Sequence, residues 1–127
     1  MPGEFEGKTI LLVDDDRDIL HAMETTLAEF GPTIVTAGNG DDALVQAKEH
    51  SPDLVILDMM LPKRGGLIVL EKLKQGKKRG DSPRVIMVTG NQGHRHKTFA
   101  EALGVDEYLN KPFRMERLVE SSRKLLS

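Results

Sequence analysis

The sequence predicts an α/β fold, a doubly wound parallel sheet of five strands flanked by five helices. Three observations carry this. The runs Ile10-Leu11-Leu12-Val13, Leu54-Val55-Ile56-Leu57 and Val85-Ile86-Met87-Val88 do not alternate with polar residues. A strand covered on one face alternates; a strand covered on both reads as continuous Val, Ile and Leu. Segments of helical spacing lie between these runs, and such alternation implies parallel pairing with right-handed crossovers.

The elements follow in order. Residues 1–7 are expected to be an N-terminal tail, and residues 8–127 the domain. After the first strand, Ile19, Leu20, Met23, Leu27 and Phe30 recur at helical intervals until Gly31-Pro32 ends the helix. Ile34-Val35 is a weaker second strand. Ala43, Leu44 and Ala47 mark a second helix, closed by Ser51-Pro52. Beyond the third strand, Leu67, Leu70, Leu73 and the apolar stem of Lys74 form the face of a third helix. Residues 75–83 are a long polar loop, with Ser82-Pro83 just before the fourth strand. Gly90-Asn91-Gln92-Gly93-His94-Arg95-His96 forms helix poorly, so the fourth helix should start late. Residues 105–109 are a weaker fifth strand, and Leu118, Val119, Ser122, Leu125 and Leu126 mark the last helix. Lys72, Lys74, Lys77, Lys78, Arg79 and Arg84 form a basic region, read as a solvated face.

Composition narrows the function. A chain of 127 residues has room for one domain and one sizeable core. A net charge of −2 and a pI near 6.1 give no electrostatic case for nucleic acid or an anionic membrane as partner. With no cysteine, disulfides, thiolate metal sites and thiol catalysis are excluded. No apolar stretch approaches the roughly 18 residues of a membrane span. The opening residues lack the basic and apolar regions of a secretory signal. A cytoplasmic protein is expected. Met1-Pro2 reads as a natural start, so a chain that works alone is expected too.

The chemistry is concentrated just beyond the apolar runs. Asp14 and Asp15 follow the first, Asp58 the second and Thr89 the third, while Lys111 comes soon after Tyr108-Leu109. If the runs are neighbouring parallel strands, acids, a hydroxyl and an ammonium meet at one edge, where open α/β sheets bind ligands. Three carboxylates there repel, each pair at about 4 Å costing roughly 4 kcal/mol at a dielectric near 20. A divalent cation removes that cost, and Mg²⁺ prefers oxygen ligands. Such a set suits holding Mg²⁺ and a phosphoryl group on Asp58. Asp16 is read as a helix N-cap.

In these residues the chain resembles the receiver domain of two-component response regulators. The resemblance rests on Asp14-Asp15, on Asp58-Met59-Met60-Leu61-Pro62 with Gly66, on Thr89-Gly90, on Tyr108, and on Lys111-Pro112-Phe113. It spans about residues 8 to 126. It implies the flavodoxin-like strand order 2-1-3-4-5, with Asp58 as phosphoacceptor. It also implies Mg²⁺ bound directly by Asp15, Asp58 and the backbone carbonyl of Met60, with Asp14 acting through a metal-bound water. No organic cofactor is implied. Lys111 should pair with a phosphoryl oxygen, Thr89 should donate its hydroxyl to another, and Tyr108 should follow Thr89 inward as a switch. Lys111-Pro112 is a candidate cis peptide. The implied donor is a histidine kinase or histidine phosphotransfer protein, and the implied readout is a downstream effector contacting the face of residues 92–126. The domain would promote only its own phosphotransfer and dephosphorylation rather than turn over a metabolite. The alternative is a phosphorylation-independent interaction module on the same fold. Gly65-Gly66 stands where one glycine is usual, so a looser loop after Pro62 is expected. Met60 and Asn91 occupy the positions that tune phosphate hydrolysis in the family.

Overall fold

Side chains of a strand alternate between its faces, so a strand buried on both sides must be apolar at every position. The structure, a computed structural model, describes residues 3–90 and 94–127, without the side chains of His94 and Arg95. In chain order the elements are β1 (Thr9–Val13), α1 (Arg17–Ala28), β2 (Thr33–Ala37), α2 (Gly40–His50), β3 (Leu54–Asp58), α3 (Gly66–Leu73), β4 (Arg84–Thr89), α4 (His94–Ala102), β5 (Glu107–Asn110) and α5 (Met115–Leu126). All neighbouring strands pair in parallel, in the order β2-β1-β3-β4-β5. This is the fold class and strand order expected.

The core divides as the alternation requires. Ile10, Leu12, Leu54, Ile56, Ile86, Val88 and Leu109 face one layer, closed by Met23 and Leu27 of α1 and by Leu118 and Leu125 of α5. Leu11, Val13, Val55, Leu57, Val85 and Met87 face the other, closed by Ala43 of α2, Val69 and Leu70 of α3 and Ala100 of α4. Asp16 caps α1, its side chain accepting from the amides of Asp18 and Ile19, and Asn39 caps α2 by accepting from Asp42. Helix α1 ends before Gly31 (φ +84°), and α2 ends on Ser51 in the left-handed region (φ 45°).

Three expectations need correction. Within the segment 1–7, the described residues 3–7 are more than a tail. Phe5 is 2% exposed, its ring centroid is 5.1 Å from that of Phe30, and its amide donates to the Phe30 carbonyl at 2.8 Å. One aromatic ring in a polar stretch carries no periodicity, so its burial was invisible. Second, β5 starts at Glu107, because the amide of Val105 turns back to the Ala100 carbonyl and closes α4 through Gly104 (φ +94°). Third, Lys74 and Arg84 do not belong to a solvated face. Lys74 is 3% exposed, and its ammonium lies 2.9 Å from Oδ2 of Asp106, while Arg84 Nε donates to Oδ1 at 3.1 Å. The amides of Gly80 and Val85 donate to the same carboxylate at 2.7 and 2.8 Å, and Lys74 also donates to the Asp81 carbonyl at 2.6 Å. The carboxylate thus receives four donors, which is what a buried charge requires. Lys72, Lys77, Lys78 and Arg79 are exposed as expected.

This cluster ties the end of α3, the 75–83 loop, the start of β4 and the entry to β5 into one knot. Asp106→Ala leaves a buried ammonium without its partner, so it should cost about 3–5 kcal/mol. Urea denaturation checks this, as a lowered midpoint at unchanged slope.

Candidate functional site

Parallel register sets where the polar residues fall. Val13, last in β1, pairs with Ala37 and Leu57; Asp58, last in β3, pairs with Val88; Thr89, last in β4, pairs with Asn110. Asp14, Asp15, Asp58, Thr89 and Lys111 therefore reach the same carboxyl edge. It lies outside β1 and β3, where the connection from β1 turns into α1 on one face and that from β3 into α3 on the other.

Asp14, Asp15 and Asp58 each offer a carboxylate oxygen, and these oxygens lie within 4.8 Å of one another. Asp14 and Asp58 are buried, while Asp15 is exposed. Lys111 stands between the buried pair, its ammonium 3.0 Å from Oδ2 of Asp14 and 3.6 Å from Oδ2 of Asp58. The other oxygen of Asp14 accepts the Asp16 amide at 2.9 Å, and Oδ1 of Asp58 accepts the Met60 amide at 3.3 Å. The Lys111 amide donates to the Thr89 carbonyl at 2.8 Å, and the Lys111-Pro112 peptide is cis, as expected. A second cis peptide, Ser82-Pro83, was not foreseen.

These neighbours perturb both charges. Burial, reinforced by the negative charge of Asp14, holds the Asp58 carboxyl above the usual carboxylate range despite the nearby ammonium. For Lys111, burial works toward a lower pKa. The hydrogen bond to Asp14 and the charges of Asp58 and Asp14 outweigh it and raise the ammonium above its ordinary value.

The loop after Asp58 is shaped by close approach. A Cβ on Gly66 would lie 2.3 Å from the Asp58 carbonyl oxygen and 2.6 Å from the Met59 Cα, so only glycine fits. Its amide donates to the Met59 carbonyl at 2.9 Å. Gly65 faces open space, so it is the surplus glycine. The looser loop expected from the pair does not follow, because Arg64 and Gly66 both donate back into the turn, to Pro62 and Met59. Lys63 sits at φ +67°, a conformation that side-chain-bearing residues adopt only when their surroundings impose it.

The remaining candidates lie nearby. Thr89 is fully buried at the end of β4. Met60 turns its side chain outward, 66% exposed, while its amide stays on Asp58. The Tyr108 ring packs on the α4 side of the sheet, with a buried hydroxyl that makes no hydrogen bond among the described residues. Burial raises its pKa. Asn91 lies outside the described residues. Sequence reasoning missed an apolar hollow of about 320 Å³ beside the site, lined by Ile19, Lys111, Pro112, Phe113 and Met115. Its signal was Ile19 and Phe113, both assigned to core or motif without a surface. Among the described residues no helix is long and apolar enough to cross a membrane.

Such a site can hold a hard divalent cation and present Asp58 as an oxygen nucleophile. The sequence profile of the response regulator receiver domain matches residues 10–123. The chain is 37% identical over 107 residues to the alkaline phosphatase synthesis transcriptional regulatory protein PhoP of Bacillus subtilis, covering 84% of this chain and 43% of that protein. It is 36% identical over 120 residues to the probable transcriptional regulatory protein TcrX of Mycobacterium tuberculosis, covering 93% of this chain and 49% of that one. The chain thus spans about half the length of the curated relatives it matches. Among solved structures, a response regulator receiver domain protein (CheY-like) from Methanospirillum hungatei JF-1 superposes with a TM-score of 0.83 at 31% identity, covering 94% of this chain and 93% of that one.

A carboxyl whose pKa is raised by folding favours the folded state fully below its ordinary pKa and loses that contribution as pH rises through the raised value. At neutral pH without divalent cations, ionised Asp58 therefore opposes folding. Asp58→Asn should raise Tm at pH 7 by roughly 3–5 °C, the scale of about 1 kcal/mol, and the gain should fade toward pH 4. Calorimetry with chelator at the two pH values checks this.

Proposed function

The chain belongs to the response regulator receiver domain family, a component of two-component systems; on that footing we propose that it is a phosphorylation-dependent switch whose phosphoacceptor is Asp58. The observation that carries the reading is the cluster of Asp14, Asp15 and Asp58 at one sheet edge, with the Lys111 ammonium against Asp14 and Asp58. Phosphoryl transfer leaves a protein little covalent work, so positioning and charge neutralisation dominate. Asp58 Oδ attacks the phosphorus of a phosphorylated imidazole. A P–O bond forms, the P–N bond breaks, and its electron pair leaves on the imidazole nitrogen, which takes up a proton.

The donor set fits Mg²⁺: every candidate ligand is oxygen, and exposed Asp15 gives a hydrated ion a way in. Asp15, Asp58 and the Met60 carbonyl would hold the ion, with Asp14 contacting it through water. Both Asp14 oxygens already serve Lys111 and the Asp16 amide, which suits that indirect role. When bound, Mg²⁺ supplies the positive charge that the phosphoryl group and the clustered carboxylates demand.

Lys111 does the rest from the protein side. In this structure it shares its charge between Asp14 and Asp58, and a phosphoryl oxygen on Asp58 offers it a stronger partner. Thr89 donates its hydroxyl to a second oxygen. Two charge-assisted hydrogen bonds are worth about 3–6 kcal/mol, comparable with the roughly 5.5 that inverts a 1:99 equilibrium. Tyr108 reads the change, since its buried hydroxyl has a partner to gain by moving. The donor is the phosphohistidine of a kinase or phosphotransfer protein, and the apolar hollow beside Lys111 suits its docking. The effector meets the face of residues 92–126.

Acetyl phosphate should add one phosphoryl group by intact mass, only with Mg²⁺ and not in Asp58→Asn. Unchanged mass in the parent would refute the reading. Apolar Met60 cannot orient an attacking water, so Met60→Asn should shorten the lifetime of the phosphorylated form several-fold, read by the decay of the same mass shift.

A further inference from the structure

The loop that carries Met60 is held on its far side by a contact outside the site. A Cβ on Gly40, the first residue of α2, would lie 2.0 Å from the Arg64 carbonyl oxygen and 2.6 Å from the Arg64 Cβ. No side chain fits there, so the helix backbone and the loop backbone touch directly. The Gly40 amide donates to the Pro62 carbonyl at 3.3 Å, and the same carbonyl accepts the Arg64 amide at 2.8 Å. Next along α2, Asp41 accepts from Arg64 Nε at 2.8 Å. Between these contacts lies Lys63, at the positive φ that needs outside support. The loop from Met60 to Gly66 is therefore clamped twice: Gly66 against Asp58 and Met59, and Arg64 against the start of α2.

From this clamp we infer that Gly40, with the Asp41–Arg64 pair, positions the 60–64 loop for cation binding. The inference rests on the proposed function, in which the Met60 carbonyl is a ligand. Small displacements matter because Mg²⁺ demands near-ideal octahedral geometry. An added methyl group at Gly40 must push the Arg64 backbone outward, and with it the loop that begins at Met60. Gly65 supplies an internal control. It lies in the same loop, faces open space, and has φ −61°, which alanine adopts without strain.

Isothermal titration with Mg²⁺ tests the inference, using the full chain. Gly40→Ala should bind Mg²⁺ about tenfold more weakly, as outer positioning residues of metal sites do. Gly65→Ala should bind like the parent. Phosphorylation by acetyl phosphate adds a split that a general loss of stability does not produce. The half-saturating Mg²⁺ concentration should rise by the same factor, with the rate at saturating Mg²⁺ unchanged. If Gly40→Ala fails to fold, Asp41→Ala, an exposed change, should still raise the half-saturating concentration several-fold. A folded Gly40→Ala of parental affinity, or an unfolded one beside an unaffected Asp41→Ala, overturns this inference alone. A parent that binds no Mg²⁺ overturns the proposed function instead.

Discussion

Three carboxylates lie at one edge of the sheet, and the lysine ammonium between the two buried ones makes that arrangement tenable. Like charges this close repel by several kcal/mol per pair in a partly desolvated setting. What holds them together is the sheet. Asp14, Asp15 and Asp58 are fixed by β1 and β3, whose side chains fill the core on both faces and leave the strands no freedom to separate. Lys111 offsets part of the repulsion, while burial first and the charge of Asp14 second keep the Asp58 carboxyl raised. An edge so arranged has unspent affinity for positive charge, which makes it receptive to a cation.

The opposite end of the sheet holds a second ionic cluster with a contrasting logic. Asp106 takes four donors and its lysine partner is buried, so nothing there is left to bind. One cluster has its charge matched, while the other keeps carboxylates in excess. The difference is stoichiometric: one carboxylate among two cations and two amides, against three clustered carboxylates served by one ammonium. A buried ion pair is weak evidence for stability on its own, and here the completeness of its hydrogen bonding decides its role.

Which parts of this were legible in the sequence follows the same physics. The three central strands were, because burial on two faces demands unbroken apolar runs. So was the meeting of Asp14, Asp15, Asp58 and Lys111 at one edge, because a parallel register turns the ends of those runs into neighbours. Asp16 announced itself as a cap by its position before the first helical repeat. Lys74 did not announce its pairing, since a lysine closing an amphipathic helix reads alike whether its ammonium meets water or Asp106. Phe5 was hidden by a lack of periodicity around it. Gly40 reads as an ordinary residue after an Asn cap, and only the packing of α2 on the 60–64 loop reveals why no side chain is possible there.

The central claim is that Lys111 leaves Asp14 for the group on Asp58 while a cation takes over the carboxylates. A crystal structure with Mg²⁺ and beryllofluoride, a phosphoryl mimic, tests it most directly. The account predicts an ion on Asp15, Asp58 and the Met60 carbonyl, with the Lys111 ammonium bonded to fluoride. An ion bound elsewhere, or a Lys111 still seated on Asp14 beneath an occupied Asp58, would contradict it.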